Sequence, residues 1–245
     1  MNHYTLPQLQ SRHSVRAFST EPIEENLRTR LDALTEEINV CAKGLRVVTV
    51  YGDNEPFRGF KRSYGMFKNA RNYLACIIDQ QMPDATQTAG YYAEAFVMKA
   101  VASGLGTCFV GGTFDANHVG TAINVGEALL FLVIFGYPQP QGQTLVAKLA
   151  TRLAHRKQRS PRDFFLGTDK EYAKALGLFP TLPEALEAVA CAPSALNKQP
   201  VRLRLTPDDQ LETLDILTNT PSIELGIAKF NISCVDPTFL SRTTR

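Results

Sequence analysis

The chain has 245 residues, 44% of them hydrophobic and 20% charged, a balance that suits a folded globular protein with a sizeable core and excludes disordered or fibrous chains. Lys and Arg number 26 against 24 Asp and Glu, so no global charge points to nucleic acid or to an anionic membrane surface, and any basic function is local. The longest apolar run, Ala128 to Phe135, is far shorter than the roughly 20 residues a membrane-spanning helix requires.

Met1 to Gln8 has no basic stretch ahead of an apolar core, so no secretory leader is expected. After Pro22, Leu27, Leu31, Leu34 and Ile38 recur at helical spacing, with Glu24 and Glu25 at the end where the helix dipole favours acid. This predicts a helix over 22–39. Val47, Val48 and Val50 predict a strand from Leu45 to Tyr51, closed by a turn at Gly52-Asp53-Asn54, and Tyr73 to Ile78 reads as a second strand. Tyr91 to Ser103 is apolar at most positions, a largely buried helix ended by Gly104-Leu105-Gly106. Thr107 to Val110 is extended and runs into Gly111-Gly112. Asp115 is expected to cap a short helix through Ile123, and Leu129 to Phe135 is a buried strand.

Beyond Pro140 the chain turns polar and basic as far as Phe164-Phe165, which marks an expected boundary: one unit over 1–155 and a shorter second unit over 156–245. The basic run holds Arg152, His155, Arg156, Lys157, Arg159 and Arg162 and suits either a solvated helix face or an anion site. Thr181 and Glu184 fit a capping box opening a helix to Ala190. That helix leads into the loop Ala192-Pro193-Ser194-Ala195-Leu196-Asn197-Lys198-Gln199-Pro200. A strand over Val201 to Leu205, a helix over Asp208 to Thr218 and a helix over Ile223 to Ile232 follow.

The two units share a faint repeat. Ser14-x-Arg16-x-Phe18 matches Ser160-x-Arg162-x-Phe164, and in each unit a helix leads to Cys-Ala before a strand, at Cys41-Ala42 and Cys191-Ala192. From cysteine to strand arginine is five positions in the first (Cys41 to Arg46) and eleven in the second (Cys191 to Arg202), so the second has a loop inserted. The first in turn has Arg12 where the second has Gln158.

The five cysteines never form Cys-x-x-Cys, which predicts free thiols in a reducing, cytoplasmic setting. No His-Glu-x-x-His, Cys/His cluster or P-loop occurs, so metal-dependent hydrolysis and nucleoside triphosphate use are not expected. Arg12, Ser14 and Arg16 alternate, and in an extended segment such side chains project to one side. Two guanidinium forks and a hydroxyl suit a phosphate, although the pattern is also common on solvated surfaces. Ser194, Asn197 and Gln199 place a hydroxyl and two amides among prolines. That mixture suits an uncharged heteroaromatic ring such as a flavin, or an ordinary helix-to-strand turn. Val110-Gly111-Gly112 either lets bare backbone approach a ligand or makes a tight turn.

Together these segments resemble the FMN-dependent nitroreductase superfamily. Arg12-His13-Ser14-Val15-Arg16 is similar to its N-terminal phosphate motif, Ala192 to Pro200 to its flavin-ring and ribityl loop, and Gly104 through Gly112 to its glycine segment. The resemblance implies an α+β fold, with central, mostly antiparallel sheets flanked by helices. In most of the family the proline-serine loop follows the first motif closely, and the site forms across a homodimer. Here the loop is displaced into the second unit, which resembles a subgroup with two degenerate repeats in one chain, a pseudo-dimer able to bind one FMN as a monomer.

The cofactor-binding residues implied are Arg12, His13, Ser14 and Arg16, with Arg156 and Lys157, for the phosphate. Pro193, Ser194, Ala195, Asn197 and Gln199 would serve the ring and ribityl chain, and Val110, Gly111 and Gly112 its reactive edge. No side chain is implied as nucleophile or general base. The implied partners are NADH or NADPH and a small acceptor such as a nitroaromatic, quinone or enone. Val201 departs from the family, which has tryptophan there, and the chain has no Trp. A flavin store or sensor without turnover is an alternative, as is a scaffold that has lost the cofactor, against which Arg12, Ser14, Arg16 and Asn197 count.

Overall fold

The computed structural model describes residues 4–148, 159–218 and 220–238. A short helix α1 (Leu6–Ser11) opens with a capping box between Thr5 and Gln8, which satisfies amides that would otherwise lack partners. Helix α2 (Glu25–Cys41) buries Leu27, Leu31, Thr35 and Ile38, the i, i+4 stripe expected of a helix laid on a sheet. The chain continues through β1 (Leu45–Val50), the one-turn α3 (Phe60–Ser63), β2 (Tyr73–Asp79), α4 (Ala85–Ala102), β3 (Gly106–Val110) and β4 (Glu127–Gly136).

These four strands form one sheet in the order β1-β2-β4-β3, with every neighbouring pair antiparallel. Both faces are covered, so β2 is apolar at successive positions rather than alternating. Leu74 and Cys76 pack with α2 and α4 through Leu31, Ala93 and Phe96. Tyr73, Ala75 and Ile77 pack on the other face with Leu132, Ile134 and Phe57.

The second half contributes β5 (Phe165–Leu166), α5 (Asp169–Leu178), α6 (Leu182–Cys191), β6 (Val201–Leu205), β7 (Leu211–Asp215) and α7 (Ile223–Val235). Its sheet runs β5-β6-β7, parallel between β5 and β6 and antiparallel between β6 and β7. Leu186, Val189, Leu203, Leu211 and Ile232 form its core. Phe109 and Ile223 pack against the cores of both halves, and α7 crosses α4 at glycine-to-backbone distance. The architecture is α+β, with mostly antiparallel sheets flanked by helices.

Three expectations are corrected. The helix over Asp208 to Thr218 is β7: Leu211, Thr213 and Asp215 are buried in alternation, and a turn from Thr206 to Gln210, with Asp209 at φ 59°, closes a hairpin with β6. Asp115 caps a single 3-10 turn, Ala116–His118, and not a helix through Ile123. Thr181 precedes α6 but does not cap it, because its hydroxyl donates to Asp236 Oδ2 at 2.6 Å. Capping boxes in the second half lie instead at Ser160 and Asp163 and, ahead of α5, at Thr168 and Glu171.

Candidate functional site

After α1 the chain meets β3, the edge strand of the first sheet, at Ser14 and Val15, and then pairs with Lys68 through Arg16, Ala17 and Phe18. Ser14 bridges Thr107 in parallel register, and the Val15 amide donates to the Thr107 carbonyl at 2.8 Å. Val15 packs on Gly106, where a Cβ would lie 2.6 Å from Val15 Cγ2. Gly106 is therefore required by packing, and through it the segment seats on an edge that would otherwise expose unpaired backbone groups. Arg12, Ser14 and Arg16 stay in one neighbourhood: burial pushes the Cys108 thiol up, and Arg16, Ser14 and Arg12 each pull it back.

The loop after α6 is held by its own polar groups. The Gln199 amide donates to Ser194 Oγ at 2.8 Å, and Gln199 Nε2 to the Ala190 carbonyl at 3.0 Å. Arg202 and Arg159 donate to the Gln199 carbonyl at 2.7 and 3.3 Å, and the Ala195 amide to Glu224 Oε1 of α7 at 3.3 Å. Leu196, Asn197 and Gln199 have φ of 53, 54 and 47°. Left-handed backbone at three non-glycine residues so close together is costly, and such strain concentrates at functional sites.

The two segments meet across a cavity of about 650 Å³, within the range of small-molecule and cofactor sites. Arg12, Arg159 and Glu187 line it together with Pro193, Asn197 and Gln199 of the loop. Residues about 180 positions apart along the chain thus share one site.

The sequence matches the family described as "Putative TM nitroreductase" over residues 5–235. The chain belongs to this nitroreductase family. The fold of this nitroreductase-family protein is similar to the "putative nitroreductase" of Thermotoga maritima, with 19% identity and a TM-score of 0.61, over 99% of this chain and 88% of that one. An FMN-dependent nitroreductase from Clostridium difficile aligns with 57% of this chain and 91% of its own, at 15% identity and a TM-score of 0.44. A "putative nitroreductase" from Desulfovibrio desulfuricans, solved in complex with FMN, aligns with 61% of this chain and 96% of its own, at 18% identity and a TM-score of 0.43. No curated protein matches the sequence.

In this nitroreductase-family chain the structure brings Arg12, Pro193, Asn197 and Gln199 to one cavity. Ser14 pairs with β3 and Val110 ends it, while the Arg16 carbonyl accepts from the Lys68 amide at 2.9 Å. Gly111 and Gly112 follow it, exposed, and a Cβ on either would meet no described atom within 4 Å. Packing thus does not require glycine there, and the bare backbone is open to an approaching group. His13 is exposed, its Nδ1 3.2 Å from the Ser11 carbonyl oxygen. Ser194 lines a small cleft with Phe164 and Glu224 that shares Pro193 and Gln199 with the cavity, and Ala195 is exposed. Arg156 and Lys157 lie outside the described residues. Arg159, Glu187 and, behind Arg12, Glu94 were not singled out from the sequence as site residues. Arg159 belongs to the basic run, Glu187 stands one helical turn before Cys191, and Glu94 is a lone acid in an otherwise apolar helical stripe.

Among the described residues no helix is long and apolar enough to cross a membrane.

Proposed function

We propose that this protein is an FMN-dependent oxidoreductase that takes hydride from NADH or NADPH and reduces a small acceptor, such as a nitroaromatic, quinone or enone. Membership of a nitroreductase family supports the oxidoreductase class. The observation that carries the reading is the cavity itself, with two guanidinium groups on its wall and two amide side chains on the facing loop. The donor set fits a flavin mononucleotide. The Arg12 Nε is buried without a hydrogen-bond partner, a costly state that a phosphate oxygen would relieve.

On this reading Arg12 and Arg159 hold the phosphate, assisted by Ser14 and Arg16 and completed by the trailing basic pair Arg156 and Lys157. Asn197 and Gln199 orient the ring. Gln199 Nε2 is already held by Ala190, which leaves its Oε1 to accept from a ring N–H. Pro193, Ser194 and Ala195 shape the loop, and the open backbone from Val110 to Gly112 lies toward the ring's reactive edge. When bound, the flavin supplies the hydride and electron chemistry, and the chain's residues bind, orient and shield it.

The two contributing segments fall in the proposed units 1–155 and 156–245, so one chain would bind one FMN and a monomer would suffice. The five cysteines are unpaired, which supports a reducing, cytoplasmic compartment. The test is direct. The purified protein should be yellow, or become so with FMN, and should bleach when NADH or NADPH is added without oxygen. Persistent yellow would favour a flavin store, and a colourless protein that refuses added FMN would end the flavin reading.

A further inference from the structure

Glu94 stands in the middle of α4 with no solvent exposure, and neither of its carboxyl oxygens has a hydrogen-bond partner. Such a group is costly to bury, above all when ionised. It does not line the cavity, but the charge of Arg12, which does, acts on it, and the Arg12 Nε is itself buried and unpartnered. Burial pushes the Glu94 carboxyl up to about 7, with Arg12 pulling the other way. The balance between its two protonation states therefore rests on how far the Arg12 charge is available to it.

The groups facing Glu94 from the packed elements leave that pair in control. Cys191 on α6 and Cys234 on α7 both respond to the Glu94 charge, and burial raises each thiol to about 11, so both are neutral wherever Glu94 titrates. Asn231 on α7 is buried, its Nδ2 donating to the Ala188 carbonyl at 3.3 Å and its Oδ1 unpartnered. Cys108 on β3 is raised by burial and feels Arg12 and Arg16 rather than Glu94. On α2, Glu37 and Cys41 act on Tyr92 instead. Glu187, on the cavity wall, acts on Cys191.

We propose that Glu94 is the counter-charge that Arg12 gives up when a phosphoryl group enters the cavity, so that binding the phosphate is coupled to uptake of one proton by Glu94. This rests on the FMN reading of the cavity. A phosphate dianion draws on the same guanidinium, and a second negative charge nearby disfavours an ionised carboxyl that has no hydrogen bond of its own. The proton comes from solvent and converts the Glu94 carboxylate to the neutral acid, which can remain buried. Glu94 is thus a positioning residue, acting through Arg12.

The experiment is FMN binding from pH 6 to 9 in phosphate-free buffers, by flavin fluorescence and by calorimetry in two buffers of different ionisation heat. For the wild type we expect FMN affinity to fall by up to about tenfold per pH unit above the Glu94 transition, as linkage to one proton requires, and calorimetry at pH 8 to show close to one proton taken up. Glu94→Gln should bind FMN with no proton uptake at pH 8 and a flat profile. Riboflavin, which lacks the phosphate, should bind without proton uptake in either protein. FMN binding by the wild type without proton uptake at pH 8 overturns the proposal whether or not Glu94→Gln folds, as does equal uptake in both proteins. No FMN binding at any pH overturns the functional reading and this inference with it.

Discussion

Gly226 of α7 lies so close to α4 that a Cβ at that position would stand 1.9 Å from the Gln87 carbonyl oxygen. The contact is reciprocal, since a Cβ on Gly90 would stand 2.1 Å from the Ile223 carbonyl oxygen. These are backbone atoms, so no rotamer change relieves the clash. The crossing fixes α7 against α4, and with it Glu224, which holds the Ala195 amide of the cavity loop. Gly226→Ala should therefore destabilise the protein by about 2 kcal/mol or more, the range for forcing extra volume into a packed core. The urea unfolding midpoint measures this. Gly177→Ala in α5 is the control: nothing stands within 4 Å of its Cβ position, and helix propensity alone should raise stability by up to about 1 kcal/mol. Equal effects at the two sites would show that the crossing carries no special constraint.

Arg12 and Arg159, 147 positions apart in the sequence, line one cavity, and phosphate is the group that distinguishes two arginines in one site from a solvated basic patch. Arg12→Ala and Arg159→Ala should each weaken FMN binding by roughly tenfold to a hundredfold, as expected for a hydrogen bond to a charged group worth about 1.5–3 kcal/mol. Riboflavin affinity should stay within about threefold of wild type. Because Arg159 also donates to the Gln199 carbonyl, an equal loss of riboflavin binding in Arg159→Ala would assign it to holding the loop, not the phosphate.

Much of the first sheet is legible in the sequence because β1, β2 and β4 are β-branched or apolar runs bounded by turn residues, a signal that packing reinforces. The segment Asp208 to Thr218 misleads for a physical reason: Leu211 and Leu214 are three apart, as on a helix, yet burial follows Leu211, Thr213 and Asp215 with period two. That choice is made by pairing with β6, a tertiary contact the local pattern does not contain. Arg12 and the Pro193 to Gln199 loop are recognisable by residue type, but Arg159 is one base among several until its 3.3 Å approach to Gln199, forty positions later, selects it. Thr181 shows the same limit, since its hydroxyl is claimed by Asp236 from the far end of the chain.

Leu196 is 84% exposed and holds φ at 53°, so it carries the cost of left-handed backbone without the compensation of burial. Leu196→Gly removes that cost, about 1 kcal/mol, while adding chain entropy to the unfolded state. Its melting temperature should match or slightly exceed that of wild type. If the loop's fixed shape serves the ligand, FMN affinity should nevertheless fall several-fold as Asn197 and Gln199 lose their setting. A variant that lost melting temperature and kept affinity would show the strain to be structural and unrelated to binding.

Arg46 of β1 donates through Nε to Glu127 Oε1 at 2.8 Å and also reaches the Ala122 carbonyl, while the Asn124 amide donates to Glu127 Oε2. The Arg46 hydrogen bond, with Asn124 assisting and burial opposing, draws the Glu127 carboxyl down to about 2. An unfolded glutamate titrates near 4.3, so the folded value is depressed and the unfolded state binds the extra proton between the two. The contribution is therefore complete above about pH 4.5 and disappears as pH falls toward 2. Glu127→Gln should cost about 1 kcal/mol at pH 7, the upper end for a partly exposed ion pair, and the gap to wild type should close between pH 4.5 and 2 in urea titrations. A gap that stayed constant across that window would mean that shape and packing at the start of β4, rather than the charge on Glu127, set the loss.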